Sequence, residues 1–283
     1  MRVRAAAVVL AGAVVLSALA LPAVAQTSER PGVSTELRTF GSKTVLPNDS
    51  LGGTEFSNAV VNGGKDIVLG TTTKKSVTVT YTASNASGVA LSVAYLWQGT
   101  DSSTVEGITG SLGTDENVEC TESTTQIGVY SCKGVFNLDA ASDFQGNGAA
   151  GTWKLFLGAY DLYANASVDD NVATTKIKRA AKLTVNASPE PVKKGKTITV
   201  TGNLSRANWT TGKYAGYGTQ PVKLQFRKKG STTYTTLKTV KSSSTGVLKT
   251  TTKANLDGYY RFAFAGTTST GSVSAAGDFV DVK

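Results

Sequence analysis

The 283-residue chain contains no histidine. That absence removes Ser-His-Asp and Cys-His catalysis and most zinc or copper sites, which lean on imidazole. Cysteine is nearly as scarce: Cys120 and Cys132 are the only two, and their spacing is not C-x-x-C. A redox-active or metal-binding pair therefore has no support. Walker, EF-hand and H-E-x-x-H patterns are missing. No stretch after residue 25 shows a 3.6-residue apolar stripe, so helix bundles and α/β folds find no footing. A long apolar run occurs once, at the start.

That run has a recognisable order. Met1-Arg2-Val3-Arg4 is a short basic segment, small and apolar residues follow from Ala5 to Leu21, and Pro22 precedes Ala23-Val24-Ala25 with Gln26 after it. Charge, apolar stretch and A-x-A site in that order predict a cleavable signal peptide over 1–25. The run is short for a bilayer span. No cysteine follows the cleavage site to take a lipid, and the end Asp278–Lys283 carries no anchor. The expectation is a secreted, extracellular chain with no integral membrane segment after processing. In an oxidising space Cys120 and Cys132 pair as a disulfide. By loop entropy, closing so short a loop is worth about 3 kcal/mol.

What remains reads as β-strand. Val77, Val79 and Tyr81 alternate with Thr78 and Thr80; Val89, Leu91, Val93, Tyr95 and Trp97 alternate with Ser92 opposite. Period-2 alternation rich in β-branched and aromatic residues is the strand signature. Further strands are expected at 129–138, 152–160 and 173–178, with an edge strand near Thr44–Leu46. From Leu183 a second series begins: 183–187, 197–203, 222–227, 234–240, 247–254, 259–265 and 279–282. Seven short strands in about a hundred residues indicate an immunoglobulin-like sandwich. The fold class is thus all-β: two tandem immunoglobulin-like β-sandwich domains after a signal peptide. The expected boundaries are 1–25 signal peptide, 26–64 partly ordered lead-in, 65–182 first sandwich with the disulfide, and 183–283 second sandwich. Trp97 is a candidate core tryptophan, and the cysteines are too close to bridge two sheets, so they staple a hairpin.

Charge separates the halves. Residues 26–185 carry 12 Lys+Arg against 16 Asp+Glu, whereas 186–283 carry 15 against 4. Lys193, Lys194 and Lys196 flank one strand entry, and Arg227, Lys228 and Lys229 end another. Such a surface attracts a polyanion. Trp209, with Tyr214 and Tyr217 nearby, offers rings that stack on a sugar. The bland alternative is a solvated basic surface, with lysines that discourage edge-to-edge pairing. The expected partner is an anionic cell-wall polymer or another secreted protein. Nucleic acid as a physiological target is not expected, because no recognised binding fold is legible.

Two other chemistries need only carboxylates. Asp161, Asp169 and Asp170, set at the tip of an expected hairpin with Asn171, are a candidate calcium site, to be completed by carbonyls and water. No other cofactor is indicated. A two-carboxylate hydrolase would draw on loop acids such as Asp139, Asp143 and Asp161, yet nothing marks a facing pair. Gly146–Gly151 matches G-x-G-x-x-G but precedes a strand, where the dinucleotide fingerprint requires a helix.

The segments Leu183–Pro189, Val192–Lys196, Val222–Arg227 and Asp257–Phe262 resemble a family of secreted proteins of high-GC Gram-positive bacteria; Val61–Lys65 and Leu96–Thr100 resemble the family's N-terminal half. The resemblance implies immunoglobulin-like architecture and an extracellular location. The calcium-binding label of some members maps onto no particular residue here. The sequence reading is a non-catalytic binding or structural protein of the cell exterior.

Overall fold

The computed structural model describes residues 53–114 and 116–283. The signal peptide and the strand expected near Thr44–Leu46 lie outside the described residues.

Nine strands make the first pair of sheets: β1 (Glu55–Val61), β2 (Ile67–Leu69), β3 (Lys74–Ser84), β4 (Leu91–Gly99), β5 (Ile108–Gly113), β6 (Glu119–Glu122), β7 (Val129–Asp139), β8 (Gly151–Tyr160) and β9 (Ala166–Arg179). One sheet runs β1-β3-β7-β6 and the other β2-β9-β8-β4-β5, with β2 parallel to β9. The orders β1-β3-β7-β6 and β9-β8-β4 are those of the two sheets of an immunoglobulin sandwich, with β5 added beside β4 and β2 beside β9. In β3, Val77, Val79, Tyr81 and Ala83 are buried, as the alternation predicts.

Strand β4 corrects the expected face. Ser92, Ala94 and Leu96 point into the space between the sheets, where the Tyr81 and Ser92 hydroxyls meet at 2.5 Å. Trp97 therefore lies on the opposite face, clustered with Tyr95 and Phe156. It is buried, but it is not a tryptophan between two sheets. Its indole N–H donates to the Asp170 carbonyl at 2.6 Å, and the Lys154 ammonium stands 4.1 Å over its ring.

The second pair comprises β10 (Ala181–Leu183), β11 (Asn186–Ser188), β12 (Thr197–Asn208), β13 (Lys213–Gly216), β14 (Pro221–Lys228), β15 (Thr235–Lys241), β16 (Val247–Lys253), β17 (Gly258–Phe264), β18 (Val273–Ser274) and β19 (Asp278–Val280). Strand β12 pairs with β10, β11, β13 and β16; the facing sheet runs β15-β14-β17-β18, with β19 also on β17. Ile198 and Val200 of β12 share one core with Val222 and Leu224 of β14 and Tyr260 and Phe262 of β17. Each such fully buried side chain is worth about 1.5–3 kcal/mol against exposure. The molecule is all-β, and no α-helix occurs among the described residues.

Compactness divides the chain differently from the linear boundaries at 64 and 182. One unit takes 53–60, Thr78–Phe136 and Lys154–Ala173; the other takes Val61–Val77, Asn137–Trp153 and Thr174–Lys283.

Candidate functional site

Cys120 and Cys132 are cross-strand partners on β6 and β7 and are joined by a disulfide. The bridge staples one hairpin, as its spacing predicts.

The predicted basic residues are mostly gathered at one end of the β10–β19 sandwich, and backbone hydrogen bonds explain how. In the turn before β12, Gly195 N–H donates to the Ala254 carbonyl and Ala254 N–H to the Lys196 carbonyl. Lys194 N–H donates to the carbonyl of Lys283, which brings the chain end alongside. Lys229 N–H donates to the Asp257 carbonyl, and the Asp257 carboxylate accepts from Val282 N–H. Exposed Lys193, Lys194, Lys196, Lys228 and Lys229 thus join Lys253, one of the scattered lysines of the basic half, and Lys283, which the sequence pattern does not single out. The counter-charges are Asp257, 3.7 Å from Lys229, and Asp281, 3.7 Å from Lys283. Lys253 also borders a groove of about 620 Å³ between β15 and β16, where Lys238 donates across to the Thr251 carbonyl.

Arg227 is not part of that end surface. It points outward from the face of the sheet and lies 4.1 Å over the Tyr259 ring and 5.2 Å from that of Tyr234. Arg261, from the neighbouring strand, lies 3.7 Å over Tyr234 and donates through Nε to Gln225. The register makes this inevitable: Arg227 stands opposite Tyr259, Tyr259 opposite Phe279, and Gln225 opposite Arg261. Both strands carry a legible alternation, but which residues stand side by side follows from pairing, which one strand's pattern does not encode.

Trp209 corrects the stacking expectation. It is buried within the second unit, stacked on Phe144 at 4.7 Å with 24° between the planes, and its indole N–H donates to the Gly70 carbonyl at 2.8 Å. No sugar-facing surface is left to it. Tyr214 and Tyr217 are also engaged, under Lys182 at 3.9 Å and Arg206 at 3.8 Å respectively. Burial pushes the Tyr214 phenol above its ordinary pKa.

The calcium candidates are not brought together. Tyr160 and Ala166 do flank a hairpin turn, but Asp161 is spent within it. Its Oδ1 accepts from Tyr163 N–H and Asn165 N–H, and its Oδ2 from the Asn165 amide. Burial raises the carboxyl's pKa, but these hydrogen bonds outweigh it and hold the group below its usual range. Asp169 and Asp170 lie inside β9 rather than in the loop before it, and Asp170 accepts from the Ser102 hydroxyl. No group of three Asp, Glu or Cys side chains able to hold a metal ion occurs among the described residues.

No family model matches the sequence, and no curated protein does. Among solved structures, the chain is similar to the D00-D0 domain of intimin, at 15% identity over 80% of this chain and 99% of that one, with a TM-score of 0.25. It is also similar to the fibronectin(III)-like modules of Clostridium thermocellum CbhA, at 11% over 81% and 92%, TM-score 0.32. A third is the Yersinia pseudotuberculosis adhesin InvE, at 12% over 80% and 58%, TM-score 0.25. Such low scores carry nothing about what this chain binds. The sandwich assignment rests on the strand orders above.

Proposed function

We propose that this chain is a secreted, non-catalytic binding protein of the cell exterior, and that the basic end of its β10–β19 sandwich holds an anionic polymer. The observation that carries the reading is the gathering of Lys193, Lys194, Lys196, Lys228, Lys229, Lys253 and Lys283 at one end, where Asp257 and Asp281 are the side-chain carboxylates paired with lysine. Exposed ammonium groups held on a rigid sandwich create a positive field that a repeating anion meets at several points. The order of charge, apolar run and A-x-A site in residues 1–25 supports export. Each exposed contact is weak and screened, so binding must fall steeply with salt.

The test is retention on purified cell wall and on a defined anionic polymer at low salt and at about 0.5 M salt, where the screening length shrinks to a few ångströms. Retention at low salt, its loss at high salt and its reduction in the Lys193→Gln/Lys194→Gln/Lys196→Gln variant are expected. A chain that passes through at low salt sinks the reading, as does a triple variant retained like the parent.

A further inference from the structure

The outer face of the β15-β14-β17-β18 sheet carries a second basic surface of different chemistry. Arg227, Tyr259 and Phe279 form a row across three neighbouring strands, and Gln225 and Arg261 form part of the next. Tyr234, just before β15, folds over between the two guanidinium groups. The rings of Tyr259 and Phe279 lie 5.2 Å apart, and the Lys229 ammonium stands 5.5 Å from Phe279. All five of Arg227, Tyr234, Tyr259, Arg261 and Phe279 are half-buried, so each still presents surface to solvent.

Two features separate this strip from a merely solvated face. Neither arginine makes an ion pair with a carboxylate among the described residues; the pairs present all use lysine. Their planes are instead fixed by stacking and by one bond each, from Arg227 to the Ser231 carbonyl and from Arg261 to Gln225. A guanidinium so held keeps unspent N–H donors in a fork that matches a carboxylate. The rings beside it supply an apolar, rigid surface.

We infer that this strip binds carboxylated sugar rings of an acidic polysaccharide, which rests on the anionic-polymer reading above and deepens it. A uronate ring has both complements: a carboxylate for the arginine fork and a face of C–H groups for the aromatic rings. A polyphosphate backbone has the charge without the ring face, so it fits the lysine end and wastes the aromatics. A neutral glucan has the ring without the charge.

The experiment measures binding of the full chain to alginate (a polymer of uronates), to polyphosphate and to dextran, at equal low salt. Alginate binding above polyphosphate at matched charge, with dextran unbound, is expected. The Arg227→Lys/Arg261→Lys variant keeps the charge and loses the planar fork. It is expected to lose about tenfold in alginate affinity and less in polyphosphate affinity, since a phosphate also fits an arginine fork but gains nothing from the rings beside it. Tyr259→Leu provides a second variant outside the arginines, with the same expected selectivity loss; far-UV circular dichroism checks that each variant folds. The lysine-end triple variant should weaken both polymers and leave the preference between them. If polyphosphate binds the parent as tightly as alginate, or the preference survives both strip variants, the inference is overturned while the lysine-end reading stands. If nothing binds at low salt, both fall.

Discussion

Phe144 and Trp209 lie nearly parallel, their ring centroids 4.7 Å apart, with Trp153 edge-on to Phe144 at 6.0 Å. Stacked aromatics of this kind are worth about 0.5–1.5 kcal/mol beyond the area they bury. Trp209 adds a hydrogen bond to the Gly70 carbonyl. Trp209→Ala removes ring, stack and bond together and is expected to cost about 3–5 kcal/mol in urea unfolding. Trp209→Phe keeps an aromatic ring on Phe144 and loses the N–H, leaving the carbonyl short of a partner at about 1–3 kcal/mol. Polymer affinity of the folded Trp209→Phe protein should match the parent. A large drop in that affinity without loss of stability would return Trp209 to the binding surface.

Tyr81 provides a pH signature. Burial pushes its phenol up to about 12, and the Ser92 hydroxyl opposes this only in part. The folded state therefore holds the phenolic proton more tightly than the unfolded chain, whose tyrosine titrates near 10. That advantage is complete below about pH 10 and is lost as pH rises towards 12. Two units correspond to about 2–3 kcal/mol. The decline in unfolding free energy measured across this window should be smaller by that amount in Tyr81→Phe; the other phenols raised by burial, Tyr214 and Tyr260, keep their share of it. At neutral pH the same substitution should cost about 1 kcal/mol for the bond to Ser92. Identical pH profiles for parent and variant would exclude Tyr81 as the source.

The strands were legible where one face is apolar and the other polar. Val77–Tyr81, Val222–Phe226 and Tyr260–Phe264 all follow their alternation into the core. Strand β4 misleads because both of its faces are apolar. Its central polar cue, Ser92, points inward and is satisfied there by Tyr81 and by the Gly158 carbonyl. Short polar strands such as β6 and β13 carry too few apolar residues for a period to show. At the candidate site, residue type announced the lysines, but the contribution of Lys253 and Lys283 depends on backbone bonds between distant segments. Trp209 looked like a loop aromatic because the carbonyl that claims its indole is 139 residues away. The arginine strip was missed for a related reason: cross-strand neighbours are set by register, and register is long-range information.

Asp161 ties its turn together from a single side chain. With three hydrogen bonds to the ionised carboxylate, the folded pKa is depressed, so its stabilisation is present above the unfolded carboxyl range and lost as pH falls through the folded value. Asp161→Ala is expected to destabilise by about 1.5–3 kcal/mol, the usual range for hydrogen bonds to a charged group. The loss should shrink in acid, where the parent carboxyl is already protonated. Melting both proteins at pH 7 and pH 3, with calcium and with chelator, tests this directly. A parent that gains stability from millimolar calcium, while Asp161→Ala does not, would make the turn carboxylate a ligand instead of a clamp.

Arg179, at the end of β9, is 6% exposed and has no carboxylate partner among the described residues. Its guanidinium makes one long bond, 3.5 Å from Nη1 to the Ala207 carbonyl, and its Nε is enclosed without a partner. Burial, and then the like charge of Arg206, press its pKa below the ordinary arginine value. A charge held this way costs stability, whereas its methylene stem packs like any apolar chain. Arg179→Met keeps the stem and removes the charge and the repulsion from Arg206. It is expected to be neutral or to raise stability by about 1–4 kcal/mol, by analogy with the span seen when buried ion pairs give way to packed apolar residues. Arg179→Ala loses the stem as well, so cavity cost should offset the gain. Chemical denaturation of both variants decides the matter. A methionine variant less stable than the parent by more than about 1 kcal/mol would mean the guanidinium stabilises the folded chain, contrary to this account.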